Sequence, residues 1–121
     1  MPSATTLLLV DDSRASRMLC AALLRHLRPE LEIIEAGDGD SALERLATVS
    51  PALAVLDMNM PGMSGLELAE LISNTNPTIR LALLTANVQE SIQRRAAEMG
   101  VRFFRKPVTE SVLKDVLALL D

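Results

Sequence analysis

The chain has 121 residues, 49% hydrophobic and 23% charged, which is the size and make-up of one globular domain with one core. Six Pro and five Gly are too few for a disordered or repetitive chain; no apolar run approaches the roughly 18 residues of a membrane span, and a net charge of −4 is the wrong sign for gripping nucleic-acid phosphates. A lone cysteine excludes an internal disulfide, two Phe without Trp or Tyr leave little to stack on bases or a flat cofactor, and the short polar opening carries no signal pattern, so a reducing cytoplasm is expected.

Thr6 to Val10 is a continuous apolar run, the pattern of a strand buried on both sides, and it ends in Asp11 and Asp12. Ser13 then caps a helix whose apolar positions are Met18, Leu19, Ala22, Leu23 and Leu27, ending at Arg28-Pro29. Leu31 to Ala36 alternates as a second strand, Gly37-Asp38-Gly39 is a turn, and a helix over Ser41 to Val49 carries Leu43, Leu46 and Ala47 on one face. Ser50-Pro51 breaks that helix. Leu53 to Leu56 is the third strand and delivers Asp57, followed by loop signals at Asn59, Pro61 and Gly62. Ser64 and Glu67 have capping-box spacing and open a helix with Leu66, Leu68, Leu71 and Ile72 that stops near Asn74 to Pro77. Arg80 to Leu84 is a fourth strand leading into Thr85. Asn87 and Glu90 repeat the cap spacing before a helix with Val88, Ile92, Ala96 and Met99, closed by Gly100. Val101 to Arg105 is the fifth strand, delivering Lys106 and Pro107, and the last helix spans Thr109 to Leu120.

This alternation, with connections too short for anything but crossovers, predicts a parallel sheet covered by helices on both faces. In such a sheet the residues after each strand gather at one rim, where open α/β folds bind their ligands. Asp11, Asp12, Asp57, Thr85 and Lys106 all fall there. Three carboxylates close together repel unless a cation neutralises them, and oxygen donors with no His or Cys nearby favour Mg²⁺ over zinc. An ionised Asp beside that ion can attack phosphorus, while the Thr85 hydroxyl and the Lys106 ammonium suit the remaining phosphoryl oxygens.

The pieces Leu8-Leu9-Val10-Asp11-Asp12-Ser13, Val55 through Gly65, Leu84-Thr85-Ala86 and Lys106-Pro107, in this order and at these spacings, resemble the receiver domain of two-component response regulators. The resemblance covers essentially the whole chain. It implies a single receiver domain over residues 1–121, an α/β doubly wound (βα)5 fold of the flavodoxin-like and CheY-like kind, and strand order 2-1-3-4-5. It also implies that Asp57 accepts a phosphoryl group from a histidine kinase, a histidine phosphotransfer protein or a small phosphodonor. Asp12, Asp57 and the Asn59 backbone carbonyl would ligate Mg²⁺, with Asp11 acting through water. Thr85 would move toward the phosphoryl group, Phe103 would rotate inward behind it, Lys106 would pair with it, and the Lys106-Pro107 peptide would be cis. Phe103 lacks the hydroxyl of the Tyr common at this position, and Asn59 and Asn87 stand where similar domains tune hydrolysis of the acyl phosphate. A receiver of this kind catalyses only its own phosphorylation and dephosphorylation. Partners implied on the fourth helix, fifth strand and fifth helix are a phosphatase, an output protein or a phosphorylation-dependent second copy, with no role for nucleic acid or membrane. The end at Asp121 points to a stand-alone regulator, or equally to a receiver cut from a longer one.

Two other functions start from the same residues. A small-molecule phosphohydrolase built on Asp57 wants a second carboxylate two residues on, where Asn59 cannot ionise, and a cap segment that has no counterpart here. A flavin-binding domain wants a hydroxyl- and glycine-rich turn where Asp11-Asp12-Ser13 stands. Taken singly, His26 reads as a solvated residue among Arg25 and Arg28 and Cys20 as a packing residue without a nearby base, while Met58, Met60 and Met63 flank the site in a loop where flexible apolar side chains serve a partner or cover the pocket, cover being the reading for Met58. The last helix presents Val112, Leu113, Val116, Leu117, Leu119 and Leu120, a stripe wide enough to suggest a docking face.

Overall fold

A computed structural model describes residues 5–86 and 89–121. Five strands, β1 (Thr6–Val10), β2 (Glu32–Ala36), β3 (Leu53–Asp57), β4 (Arg80–Thr85) and β5 (Arg102–Arg105), alternate with α1 (Arg14–Leu27), α2 (Gly39–Leu46), α3 (Gly65–Thr75), α4 (Glu90–Glu98) and α5 (Glu110–Leu117), and a short 3-10 helix covers Ala118–Leu120. All pairings are parallel and the order is β2-β1-β3-β4-β5, as the resemblance implied. The sheet ends on β2 and β5. The winding reverses between β1 and β3, which puts the switch point at their carboxyl ends.

Strand alternation feeds two cores. Leu8, Val10, Ala54, Leu56 and Leu83 face α2, α3 and α4, whereas Leu7, Leu9, Leu53, Val55 and Ala82 face α1 and α5. Burial on both faces is why the central strands β1 and β3 read as continuous apolar runs. Two helix readings need correction. On α1 the buried residues are Cys20, Ala21 and Leu24, while Met18 and Leu19 are each 58% exposed and Ala22 is exposed too. Apolar side chains run almost all the way round this helix, and the small Cys20 and Ala21 are the ones that let its axis approach the sheet. The second helix starts at Gly39 rather than Ser41, because Asp38 is its cap and accepts the Ser41 N–H at 2.7 Å; it ends at Leu46, with Ala47 exposed.

The caps at Ser13 and Ser64 form as read, the latter as a full reciprocal box with Glu67. Of the apolar residues of α3, Leu71 is 40% exposed, while Leu66, Leu68, Ala69 and Ile72 are buried. Helix α4 opens at Gln89 with no side-chain cap; Asn87 and Val88 lie outside the described residues. The wide stripe on α5 is used within the fold. Leu113, Val116 and Leu117 are buried, and Val112, Leu119 and Leu120 pack half-buried against the same core, since α5 meets α1 as well as β5.

Candidate functional site

The buried polar residues of the described chain are Asp11, Asp57 and Thr85, and each stands at or just beyond the carboxyl end of β1, β3 or β4. Asp11 extends the ladder past β1, donating its N–H to the Ala36 carbonyl (3.1 Å), while its Oδ1 accepts the Ser13 N–H (2.9 Å). Asp12 follows it and is exposed. Asp57 closes β3, pairing in register with Leu84; the next residue, Met58, donates to the Leu84 carbonyl (2.9 Å) and accepts from Gly65 N–H (3.0 Å). Thr85, one residue beyond Leu84, accepts the Lys106 N–H on its carbonyl (3.0 Å), so the backbone itself hands Lys106 to this rim. The Lys106-Pro107 peptide is cis.

Four of the five rim residues read from the sequence meet through their side chains. Carboxylate oxygens of Asp11, Asp12 and Asp57 all lie within 4.8 Å of one another, and Lys106 Nζ is 2.7 Å from Asp57 Oδ1. The fifth, Thr85, is buried at the end of the strand beside Asp57. Asp57 Oδ1 is sealed from water, and the Lys106 ammonium is the charge that stands against it. Burial pushes the Asp57 carboxyl above its ordinary range and Asp11 adds to the rise, outweighing the opposing pull of Lys106 and the Asn59 amide.

Three carboxylates whose oxygens converge, one of them on the buried Asp57, are the donor set a hard divalent cation takes, and these residues therefore fit Mg²⁺. Asn59 is exposed beside them. Met60 is buried, and Met58 and Met63 pack half-buried on the core below the loop. Phe103 is half-buried on β5 and lines an open groove with Gln93, Ala97 and Val101. Cys20 is buried beneath α1 and burial pushes its thiol up to about 12, in keeping with a packing role. His26 is exposed, 3.7 Å from Glu110.

Two residues of the site carried no assigned role in the sequence. Gly65 packs so closely under β3 that a Cβ would stand 2.3 Å from the Asp57 carbonyl oxygen. Arg17 reaches back from α1 to donate to the Asp11 carbonyl (2.5 Å) and to Glu35 (3.0 Å). Nothing local marks Arg17, because its partners are a backbone oxygen and a side chain on another strand. Gly65 does have a signal, a glycine directly after a cap residue where a helix former is expected.

The sequence profile of the response regulator receiver domain matches residues 7–118. A probable chemotaxis protein CheY of Rhizobium etli is 32% identical over 111 residues, covering 88% of this chain and 84% of that protein. A protein-glutamate methylesterase/protein-glutamine glutaminase of Geobacter sulfurreducens is 32% identical over 93% of this chain, and the sensor protein EvgS of Escherichia coli K12 is 31% identical over 99% of it. The chain spans only 30% and 10% of those two proteins. Among solved structures, the Vibrio cholerae chemotaxis protein CheY4 superposes with a TM-score of 0.85 at 23% identity, over 94% of this chain and 96% of that one. A CheY-like receiver domain protein of Methanospirillum hungatei gives 0.87 at 22%, over 96% and 92%. The chain belongs to the response regulator receiver family and is a receiver domain of two-component signalling systems.

Proposed function

We propose that residues 1–121 act as one phosphorylation switch in which Asp57 is the phosphoacceptor, drawing on a histidine kinase, a histidine phosphotransfer protein or a small phosphodonor. The observation that carries this is the buried Asp57 carboxylate meeting two carboxylates and one ammonium at the sheet's switch point. Asp12, Asp57 and the Asn59 carbonyl would hold Mg²⁺ directly, with Asp11 through water. Bound there, the ion supplies charge neutralisation for the transferring phosphoryl group.

In the transfer, an Asp57 carboxylate oxygen forms the bond to phosphorus as the donor's bond to phosphorus breaks, and the electron pair leaves with the donor. Lys106, already 2.7 Å from that carboxylate, pairs with a phosphoryl oxygen, and the Thr85 hydroxyl donates to another. Breaking the ion pair between Lys106 and the bare carboxylate is what makes the two states differ. Phe103 then turns inward, and the face of α4, β5 and α5 meets a phosphatase, an output protein or a second copy. The setting is cytoplasmic, and the only reactions catalysed are gain and loss of the protein's own phosphoryl group. No helix among the described residues is long and apolar enough to cross a membrane.

Incubation with acetyl phosphate and Mg²⁺ should add one phosphoryl mass to the wild type and none to Asp57→Asn, read by intact-protein mass spectrometry. Steady turnover of added phosphate esters, or labelling that persists in Asp57→Asn, would overturn the reading.

A further inference from the structure

Arg17 is in the first turns of α1, and its side chain is only 17% exposed. A guanidinium drawn out of water needs acceptors, and this one takes them from two separate elements. Nη1 donates to the Asp11 carbonyl at 2.5 Å, Nε donates to Glu35 Oε1 on β2 at 3.0 Å, and Nη1 also lies over Gly37, where a Cβ would meet it at 3.6 Å. The turn after β1 is thus clasped to the end of β2.

The bonded oxygen belongs to the peptide that joins Asp11 to Asp12, and that unit is planar, so fixing the oxygen fixes the direction in which Asp12 departs. The other two bonds made by Asp11 do not reach this plane, since its N–H belongs to the preceding peptide and its Oδ1 to the side chain. Asp12 is exposed, and its approach to Asp11 and Asp57 depends on the backbone that carries it.

We propose that Arg17 is a positioning residue for the divalent-ion site, aiming Asp12 by holding the Asp11–Asp12 peptide against Glu35. The proposal rests on the Mg²⁺ reading above. Only a planar fork spans both acceptors; a lysine keeps the charge and reaches one of them at a time. This separates the clasp from simple electrostatics by sign. Charge alone predicts tighter Mg²⁺ binding when a cation is removed beside three carboxylates, and no change in Arg17→Lys.

The test is an NMR titration of the intact chain with Mg²⁺ and no phosphodonor, following the amides of Asp12 and Asn59. The wild type should saturate and Asp12→Asn should not. Arg17→Met should raise the Mg²⁺ dissociation constant by roughly tenfold, as loss of an outer-sphere support does, and Arg17→Lys by a smaller factor in the same direction. A constant that is unchanged or lower in folded Arg17→Met overturns the proposal, and if that variant does not fold, an unchanged constant in Arg17→Lys does so. A wild type whose shifts ignore Mg²⁺ removes the metal reading itself, and the clasp's role falls with it.

Discussion

Leu56 and Asp57 are consecutive in β3 and almost equally sealed from water, at 0% and 4% exposure, yet the fold treats them in opposite ways. Leu56 belongs to one buried apolar cluster with Leu8, Leu66 and Leu68. Asp57 has two carboxylates and one ammonium for company. The middle of the sheet therefore maximises burial of hydrocarbon, while its carboxyl rim holds charge at a cost in stability. That cost is confined to the few residues where β1, β3 and β4 end, and the apolar body beneath supplies the stability that allows it.

Substitutions on the two sides of this boundary should behave differently. The largest effect is expected from Leu56→Ala, which leaves a cavity in a close-packed layer and should cost about 2–5 kcal/mol in denaturant unfolding. Gly65→Ala comes next. Its Cβ would collide with rigid backbone at Asp57, and a loss of about 1–3 kcal/mol is expected together with slower phosphorylation, since the strain falls on the acceptor itself. A normal phosphorylation rate in Gly65→Ala would mean that the rim is insulated from the packing below it.

Asp57→Asn should go the other way and raise the denaturation midpoint at neutral pH without Mg²⁺, because it removes a carboxylate whose burial outweighs its pairing with Lys106. A lowered midpoint would place Asp57 with Leu56 as a structural residue. The smallest effect concerns Asp38, the exposed cap of α2, whose bond from the Ser41 backbone lowers its pKa below the ordinary 3.8. A depressed folded-state value stabilises at pH above the unfolded value, and that contribution is lost as pH falls through the folded one. Asp38→Asn, which still caps, should flatten the acid limb of the stability curve below about pH 4 and leave neutral stability nearly unchanged.

The central strands were legible because two-sided burial writes itself as unbroken runs such as Leu7-Leu8-Leu9-Val10, and the rim was legible because the runs of β1, β3 and β4 end abruptly in Asp11, Asp57 and Thr85. Helix faces were harder. Met18 and Leu19 are as apolar as the residues beneath them, and period alone cannot say which arc of α1 meets the sheet when closeness of approach selects Cys20 and Ala21. Asp38 was hidden by its glycine neighbours, which look like a plain turn, although an Asp three residues before Ser41 N–H is a cap. Arg17 was invisible for a different reason: one partner is a backbone oxygen that any residue at position 11 would offer, and the other, Glu35, is brought to it by the β2-β1 pairing.

The two border strands of the sheet have a bearing on how these molecules meet when crowded. β5 is four residues long and turns exposed Arg102 and Arg105 outward, and β2 begins with exposed Glu32. Short borders studded with ionic groups make poor templates for main-chain annealing between copies. Self-association through fibril-like stacking is thereby disfavoured.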